Sequence, residues 1–304
     1  MRLFGSLIRK FKALLLLSTR ADERFDRIAT TQGLVLATLN AGKTSRDLKD
    51  FEFSVFSQWG EDGIIQRLID LVPIKNKTFV EFGVETFSEA NCRFLMVKDN
   101  WRGFIIDGSS DNIAALKASY YFWKYDLKAI SAFVDKDNIN GLIAQSNFDR
   151  DVGILSVDID GNDYFVLDAI SGISPRIIIV EYNGTFGPDR KIVVPYDKSF
   201  WRNSAHYSNL YWGASLGALA DVARSKGYSL VGVNSSGVNA FFVRDDLITP
   251  ALEVLSVKDA FVLPHFRDSR NAEGGLTYLD MSERMAVIKG MPVLNIETGV
   301  VEPL

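Results

Sequence analysis

The sequence holds a single cysteine, Cys92, so no internal disulfide can form and the composition suits a reducing compartment. Cys92 falls on the apolar side of a predicted helix, where a small buried hydrophobe explains it better than a nucleophile does. Histidine is nearly as scarce. With only His206 and His265 present, no histidine-rich metal centre can be assembled. Cationic excess is absent too: 34 Lys and Arg face 38 Asp and Glu, a net charge of −4, which points away from nucleic acid as a partner. Long apolar runs are missing, and none approaches the ~20 residues that cross a bilayer. The run at 13–17 is shorter than the apolar region of a signal peptide, and no cleavage site follows it.

What is present is a chain of 304 residues, 47% hydrophobic, which can bury one large core with additions around it. Residues 1–17 set Phe4, Leu7, Ile8, Phe11, Leu14 and Leu15 at helical spacing among Arg2, Arg9, Lys10 and Lys12. A basic amphipathic helix of this kind suits the surface of an anionic membrane; docking on its own domain or on a partner subunit is the equal alternative. Residues 20–45 predict a second helix, with Phe25, Ile28, Val35 and Leu39 on one side, that could serve homo-oligomerisation. Residues 1–45 thus form a helical extension, 50–247 an α/β domain, and 248–304 a weakly patterned segment with no assigned role.

Within the α/β domain the pattern alternates. Strands are predicted at 78–82, 103–106, 122–125, 152–157 and 176–180, with helices at 60–72, 88–98, 112–119, 138–145 and 164–170 between or before them. Helix 215–226 and an antiparallel pair at 228–233 and 240–243 close the domain. Strands alternating with helices imply a mostly parallel sheet covered on both faces. Each predicted strand ends in an acid: Glu81, Asp107, Asp126, Asp158 with Asp160, and Glu181. In a doubly wound sheet those ends share one edge, so the acids should converge on one crevice. Gly83 permits the tight turn after the first strand, and Asp107 follows Glu81 at close to the ~20-residue offset at which a carboxylate meets a ribose.

The order of these elements and their acids resembles the class I S-adenosylmethionine-dependent methyltransferases, and more narrowly the FkbM-type enzymes. The segments that carry the resemblance are Ser57-Gln58-Trp59-Gly60-Glu61-Asp62, Val80-Glu81-Phe82-Gly83, Val157-Asp158-Ile159-Asp160-Gly161 and Ile179-Val180-Glu181, within residues 50–245. It implies a doubly wound, mostly parallel seven-stranded sheet of the Rossmann-like methyltransferase type. It also implies S-adenosylmethionine as cofactor, held by Gln58, Glu81, Gly83, Asp107, Ser109 and Asp126. Asp107 would meet the ribose hydroxyls and Asp126 the adenine amino group. One departure stands out: after Gly83 the loop runs Val84-Glu85-Thr86-Phe87-Ser88, without the second glycine usual in the family.

Asp158, Asp160 and Glu181 supply hard oxygen ligands that would suit magnesium, or would bind a substrate diol directly; a capped turn around Gly161 and Asn162 is the structural alternative. His206, with Asp158 and Asp160, is the expected catalytic group, since methyl transfer to a hydroxyl needs its proton removed. His206 lies in a loop rich in aromatics, among them Tyr207, Tyr211 and Trp212, which could stack a sugar face. The expected activity is O-methylation of a saccharide or lipid-linked saccharide, in the cytoplasm or at the inner face of the membrane through residues 1–17. The alternative is a methyltransferase-like fold without methyl transfer, serving as a binding or scaffold subunit in polysaccharide biosynthesis.

Overall fold

The computed structural model describes residues 2–266 and 269–304, with side chains from residue 21 onward. Among the described residues there are ten strands: β1 (Thr78–Phe82), β2 (Arg102–Asp107), β3 (Leu127–Ser131), β4 (Ile154–Val157), β5 (Ile177–Glu181), β6 (Ile192–Val193), β7 (Tyr228–Val233), β8 (Asn239–Arg244), β9 (Pro292–Asn295) and β10 (Val300–Pro303). The helices that position the site are α1 (Arg2–Ala41), α2 (Glu61–Leu71), α3 (Arg93–Asp99), α4 (Ser110–Lys117), α5 (Ile139–Ala144), α6 (Asp163–Ala169), α7 (Arg202–Ala205) and α8 (Leu216–Ser225).

Seven strands form one sheet in the order β3-β2-β1-β4-β5-β8-β7. All neighbours from β3 to β5 are parallel, and β8 runs antiparallel between β5 and β7. This is the doubly wound, mostly parallel seven-stranded sheet of the Rossmann-like methyltransferase type expected from the sequence. The strand order reverses at β1 and β4, the switch point at which open α/β sheets bind ligands.

β1, β4 and β5 are buried along their whole length. Their residues alternate between two cores, as a period of two demands. Val80, Phe82, Leu155 and Val157 pack on one face; Phe79, Ile154, Ile177 and Ile179 pack on the other. Each such side chain contributes about 1.5–3 kcal/mol by burial. β1 and β4 therefore have little freedom to shift, and the acids at their ends are fixed by the core below.

Three expectations change. The third strand is β3 at Leu127–Ser131, not 122–125. Phe122–Lys124 is a turn of 3-10 helix that leaves Trp123 79% exposed, whereas Leu127 and Ala129 alternate inward with Lys128 outward. The helix after β1 starts at Arg93, because residues 83–92 are held as a loop. The two predicted N-terminal helices are one continuous helix, α1.

α1 docks on the domain through one face. Gly33 sits where a Cβ would lie 2.4 Å from Val55 Cγ2, so the missing side chain lets the helix approach. Asn40 Nδ2 donates to the Phe51 carbonyl at 2.6 Å, and Asp26 forms an ion pair with Arg93 of α3. The basic side chains expected to meet a membrane, within 1–17, lie outside the described side chains. Residues 248–304 are better ordered than their composition suggests: β9 and β10 form a hairpin, and β9 pairs with β6 in a second, three-stranded sheet.

Candidate active site

A cavity of about 600 Å³ opens at the carboxyl edge of β1, β2, β4 and β5. Gly83, Asp107, Asp158 and Glu181, each ending or following one of these strands, line it together with Gln58, Glu81, Ser109 and Asp160. Of the expected site residues, the sheet thus brings these eight to one place.

Gly83 is fixed by close approach. Its φ is +69°, and a Cβ there would lie 1.6 Å from the Asp158 carbonyl oxygen. Only glycine lets β1 and β4 turn away from each other at this spacing. The loop beyond it lacks further glycine, yet Glu85 (φ 47°) and Phe87 (φ 59°) adopt the left-handed region with side chains present. The loop therefore takes a glycine-like path at a cost of about 1–2 kcal/mol per residue.

Two carboxylates hold that path. Glu81 accepts from the backbone N–H of Asn91 (2.8 Å) and of Cys92 (3.2 Å), which ties the start of α3 to β1. Burial pushes its carboxyl up to about 7, against the pull of those two donors. Asp107 accepts from Glu85 N (2.8 Å), Ser109 N (2.8 Å) and Asn112 Nδ2 (3.2 Å). A carboxylate offers about four lone-pair positions, so one remains for a ligand hydroxyl rather than the two expected. Ser109 caps α4 through its hydroxyl, which accepts from Asn112 N at 3.2 Å.

The Ser57-to-Asp62 segment acts as a brace. Asp62 Oδ2 accepts from Val55, Phe56 and Ser57 N–H at 2.7–2.8 Å, and burial raises its carboxyl to about 6. Glu61 Oε1 accepts from Asn234 and Asn239 Nδ2 at 2.7 and 2.9 Å, fixing the β7–β8 turn. Gln58 is left exposed on the cavity wall.

The acid cluster divides. Asp163 turns under its own loop, accepting from Ile159 N (2.8 Å) and Gly161 N (2.9 Å), and burial raises it to about 6. Asp158, Asp160 and Glu181 face the cavity with carboxylate oxygens within 4.8 Å of one another. Asp158 and Glu181 are both held well above the ordinary carboxylate range, first by desolvation and then by neighbouring negative charge. Like charges this close disfavour the doubly ionised pair. Glu181, which lines the cavity, has an Oε2 that is buried without a hydrogen-bond partner among the described residues. Asp160, itself at φ 56°, accepts from Arg202 Nη1 at 2.6 Å, and the Arg202 guanidinium lies 4.2 Å from the Trp212 ring centroid.

Two expected residues lie elsewhere. Asp126 precedes β3 at the opposite edge of the sheet, exposed and paired with Arg102 at 2.6 Å, because the strand begins after it. His206 is not among the cavity residues; its Nδ1 is engaged with Ser208 Oγ at 2.8 Å and its ring rests on Tyr207. Burial lowers its pKa. Tyr211 and Trp212 belong to the core, Tyr211 donating to the Pro292 carbonyl at 2.5 Å. Among the described residues the aromatics that line the cavity are Phe82, Phe133, Phe200 and Trp201, the last 60% exposed. Phe133 follows β3 and was hidden by the misplaced strand.

No protein-family model matches the chain, and no curated protein matches it. Among solved structures, the N-terminal domain of EvdMO1 with SAH bound shares 8% identity over 60% of this chain and 79% of its own, with a TM-score of 0.37. An O-methyltransferase family protein from Burkholderia thailandensis shares 14% identity over 60% and 58%, also at 0.37. The Methanococcus jannaschii fibrillarin pre-rRNA processing protein shares 9% over 57% and 68%, again at 0.37. These likenesses concern the shape of the α/β domain.

Proposed function

We propose that the protein is an S-adenosylmethionine-dependent O-methyltransferase whose acceptor is a hydroxyl of a saccharide or lipid-linked saccharide. The observation that carries this reading is the charge of the cavity. Eight carboxylates line it (Glu61, Glu81, Glu85, Glu89, Asp107, Asp158, Asp160 and Glu181) against the single arginine Arg202. Such a wall repels the phosphates of a dinucleotide and favours a cofactor bearing sulfonium and ammonium charge. Asp107 keeps one acceptor position for a ribose hydroxyl, and the Phe133 ring offers a face for a base.

S-adenosylmethionine, when bound, supplies an electrophilic methyl group. The chain's own part is to orient the acceptor and take its proton. Asp158 and Glu181, whose double ionisation is disfavoured, leave one carboxylate able to accept the hydroxyl proton as the oxygen is methylated. This moves the base from His206 to the pair. Asp160, oriented by Arg202, can accept from a neighbouring sugar hydroxyl, and the exposed Trp201 ring suits stacking on a sugar face. Asp158, Asp160 and Glu181 also form an all-oxygen donor set that would hold magnesium, which would bind the acceptor diol. Basic residues within 1–17 would bring a membrane-held acceptor to the site, on a cytoplasmic protein.

Titration calorimetry with S-adenosylmethionine and S-adenosylhomocysteine, with and without magnesium, tests the reading. Saturable one-site binding near −8 kcal/mol, about micromolar, is expected. A folded sample that binds neither ligand would move the scaffold alternative to first place.

A further inference from the structure

α1 is two-sided. Its positions 23, 26, 30, 33, 37 and 40 turn to the domain, Gly33 buried and the other five partly buried. The opposite face displays Phe25, Ile28, Gln32, Val35 and Leu39, and four of these five are large hydrophobics 55–69% exposed. Their spacing is three, four, three, four. The same alternation continues back along the helical sequence through Phe4, Leu7, Phe11, Leu14, Ser18 and Ala21. A 3.5-residue period kept over this length is the seam of a left-handed coiled coil; a free helix repeating every 3.6 residues would drift ~20° per heptad away from it.

We infer that α1 pairs in parallel with α1 of a second copy of this chain along this seam. Three observations select that occupant. The seam extends over five heptads, beyond the three to four that mark a coiled coil, and with its flanks presents about 22 positions per helix, the size of a standard interface. Its polar positions, Ser18 and Gln32, would be unsatisfied against lipid, whereas in a parallel in-register pair each meets its own copy, and an amide can donate to and accept from another. In that register the flanks bring no like charges together: Lys10 opposes Leu15, Leu17 opposes Asp22, and Arg24 opposes Ala29. The basic residues of 1–17, by contrast, have no counterpart beneath the exposed stripe at 28–42, which carries no charge. Self-pairing accounts for the whole stripe; a membrane contact through 1–17 accounts for half.

The test is sedimentation equilibrium of the full chain in detergent-free buffer. The expected mass is twice that of the chain, falling to the monomer in Ile28→Glu/Val35→Glu, whose sites are exposed and whose domain should keep its urea midpoint. In the otherwise unchanged chain, Gln32→Cys should form an interchain disulfide on mild oxidation, because Cys92 is buried and does not compete. A monomeric wild type overturns the inference, and one that also sediments with phosphatidylserine vesicles assigns the stripe to a membrane instead. A dimer that survives the double variant, or a Gln32→Cys dimer that yields no cross-link, overturns it as well.

Discussion

The two edges of the central sheet both carry carboxylates, and they treat them in opposite ways. At the amino edge Asp151 meets Arg176 at 2.6 Å and Arg244 at 3.2 Å. Partial burial tends to raise its pKa, but the two guanidinium groups outweigh that and hold it below the ordinary value. At the carboxyl edge half-buried Asp158 and buried Glu181 lie beside each other and beside exposed Asp160, and both are held well above it. One edge spends its acids on arginines and gains stability. The other gathers three carboxylates against one guanidinium, Arg202, and perturbation of that kind marks functional sites.

The contrast is broken most forcefully at the amino edge. Arg176→Met removes a nearly buried partner that also donates to the Pro73 carbonyl and leaves part-buried Asp151 with Arg244 alone, which should cost about 1–3 kcal/mol in urea unfolding while leaving cofactor affinity unchanged. A loss under 1 kcal/mol would remove the distinction between the edges. At the carboxyl edge Glu181→Gln is expected to do the reverse. It deletes a repelled charge, so stability should be equal or higher, while methyl transfer to a saccharide acceptor should fall about 10²–10⁴-fold. A destabilised variant with full activity would make Glu181 structural.

The pH dependence of stability sharpens the same comparison. Asp62, Asp163 and Glu81 keep their protons in the fold up to about 6, about 6 and about 7, whereas the unfolded chain releases them near 4. The folded state binds more protons in that window, so its stability falls as pH rises from about 4 to about 7, by about 1.4 kcal/mol per pH unit for each group while it titrates. Asp151 has the opposite sign: its contribution is present above the unfolded value and is lost as pH falls through its lowered folded one. Urea midpoints should therefore peak in mildly acidic buffer. A midpoint rising steadily from pH 5 to 7 would contradict the raised values.

How much of this was legible depended on how strongly each segment was buried. β1 and β7 lie where the sequence places them, at Thr78–Phe82 and Tyr228–Val233, because short stretches rich in β-branched and aromatic residues end there in turn residues. Glu81, Asp107, Asp158 and Glu181 were readable as one group because their common phase at strand ends needs no side-chain detail. β3 was not, since an edge strand shows only half-buried alternation, and the aromatic run at 122–125 outweighs it in hydrophobicity. Phe133 and the misplacement of Asp126 follow from that one error. Only its side-chain chemistry singles out His206 in the sequence; nothing local reveals that Ser208 engages its Nδ1. α1 was split because the charged stretch from Arg20 to Arg24 interrupts the apolar pattern, although helix propensity carries through it.

The smallest effect lies in the glycine-poor loop, where backbone geometry and charge can be separated. Glu85 holds a left-handed φ of 47° while its N–H donates to Asp107 Oδ2 at 2.8 Å, so the strained turn and this cavity-lining acid are coupled. Glu85→Ala removes the carboxylate and keeps the strain. Glu85→Gly removes both, and the flexibility that glycine adds to the unfolded chain offsets part of the gain. The glycine variant should therefore unfold with a midpoint about 0.5–1 kcal/mol more stable than the alanine variant. Both should bind S-adenosylmethionine slightly more weakly than the wild type, having lost one anion beside a cationic ligand. Equal stability of the two would mean that the loop does not hold the left-handed turn. Asp107 would then lose the Glu85 N–H and regain a second acceptor position, and the cofactor's ribose could be gripped by both hydroxyls.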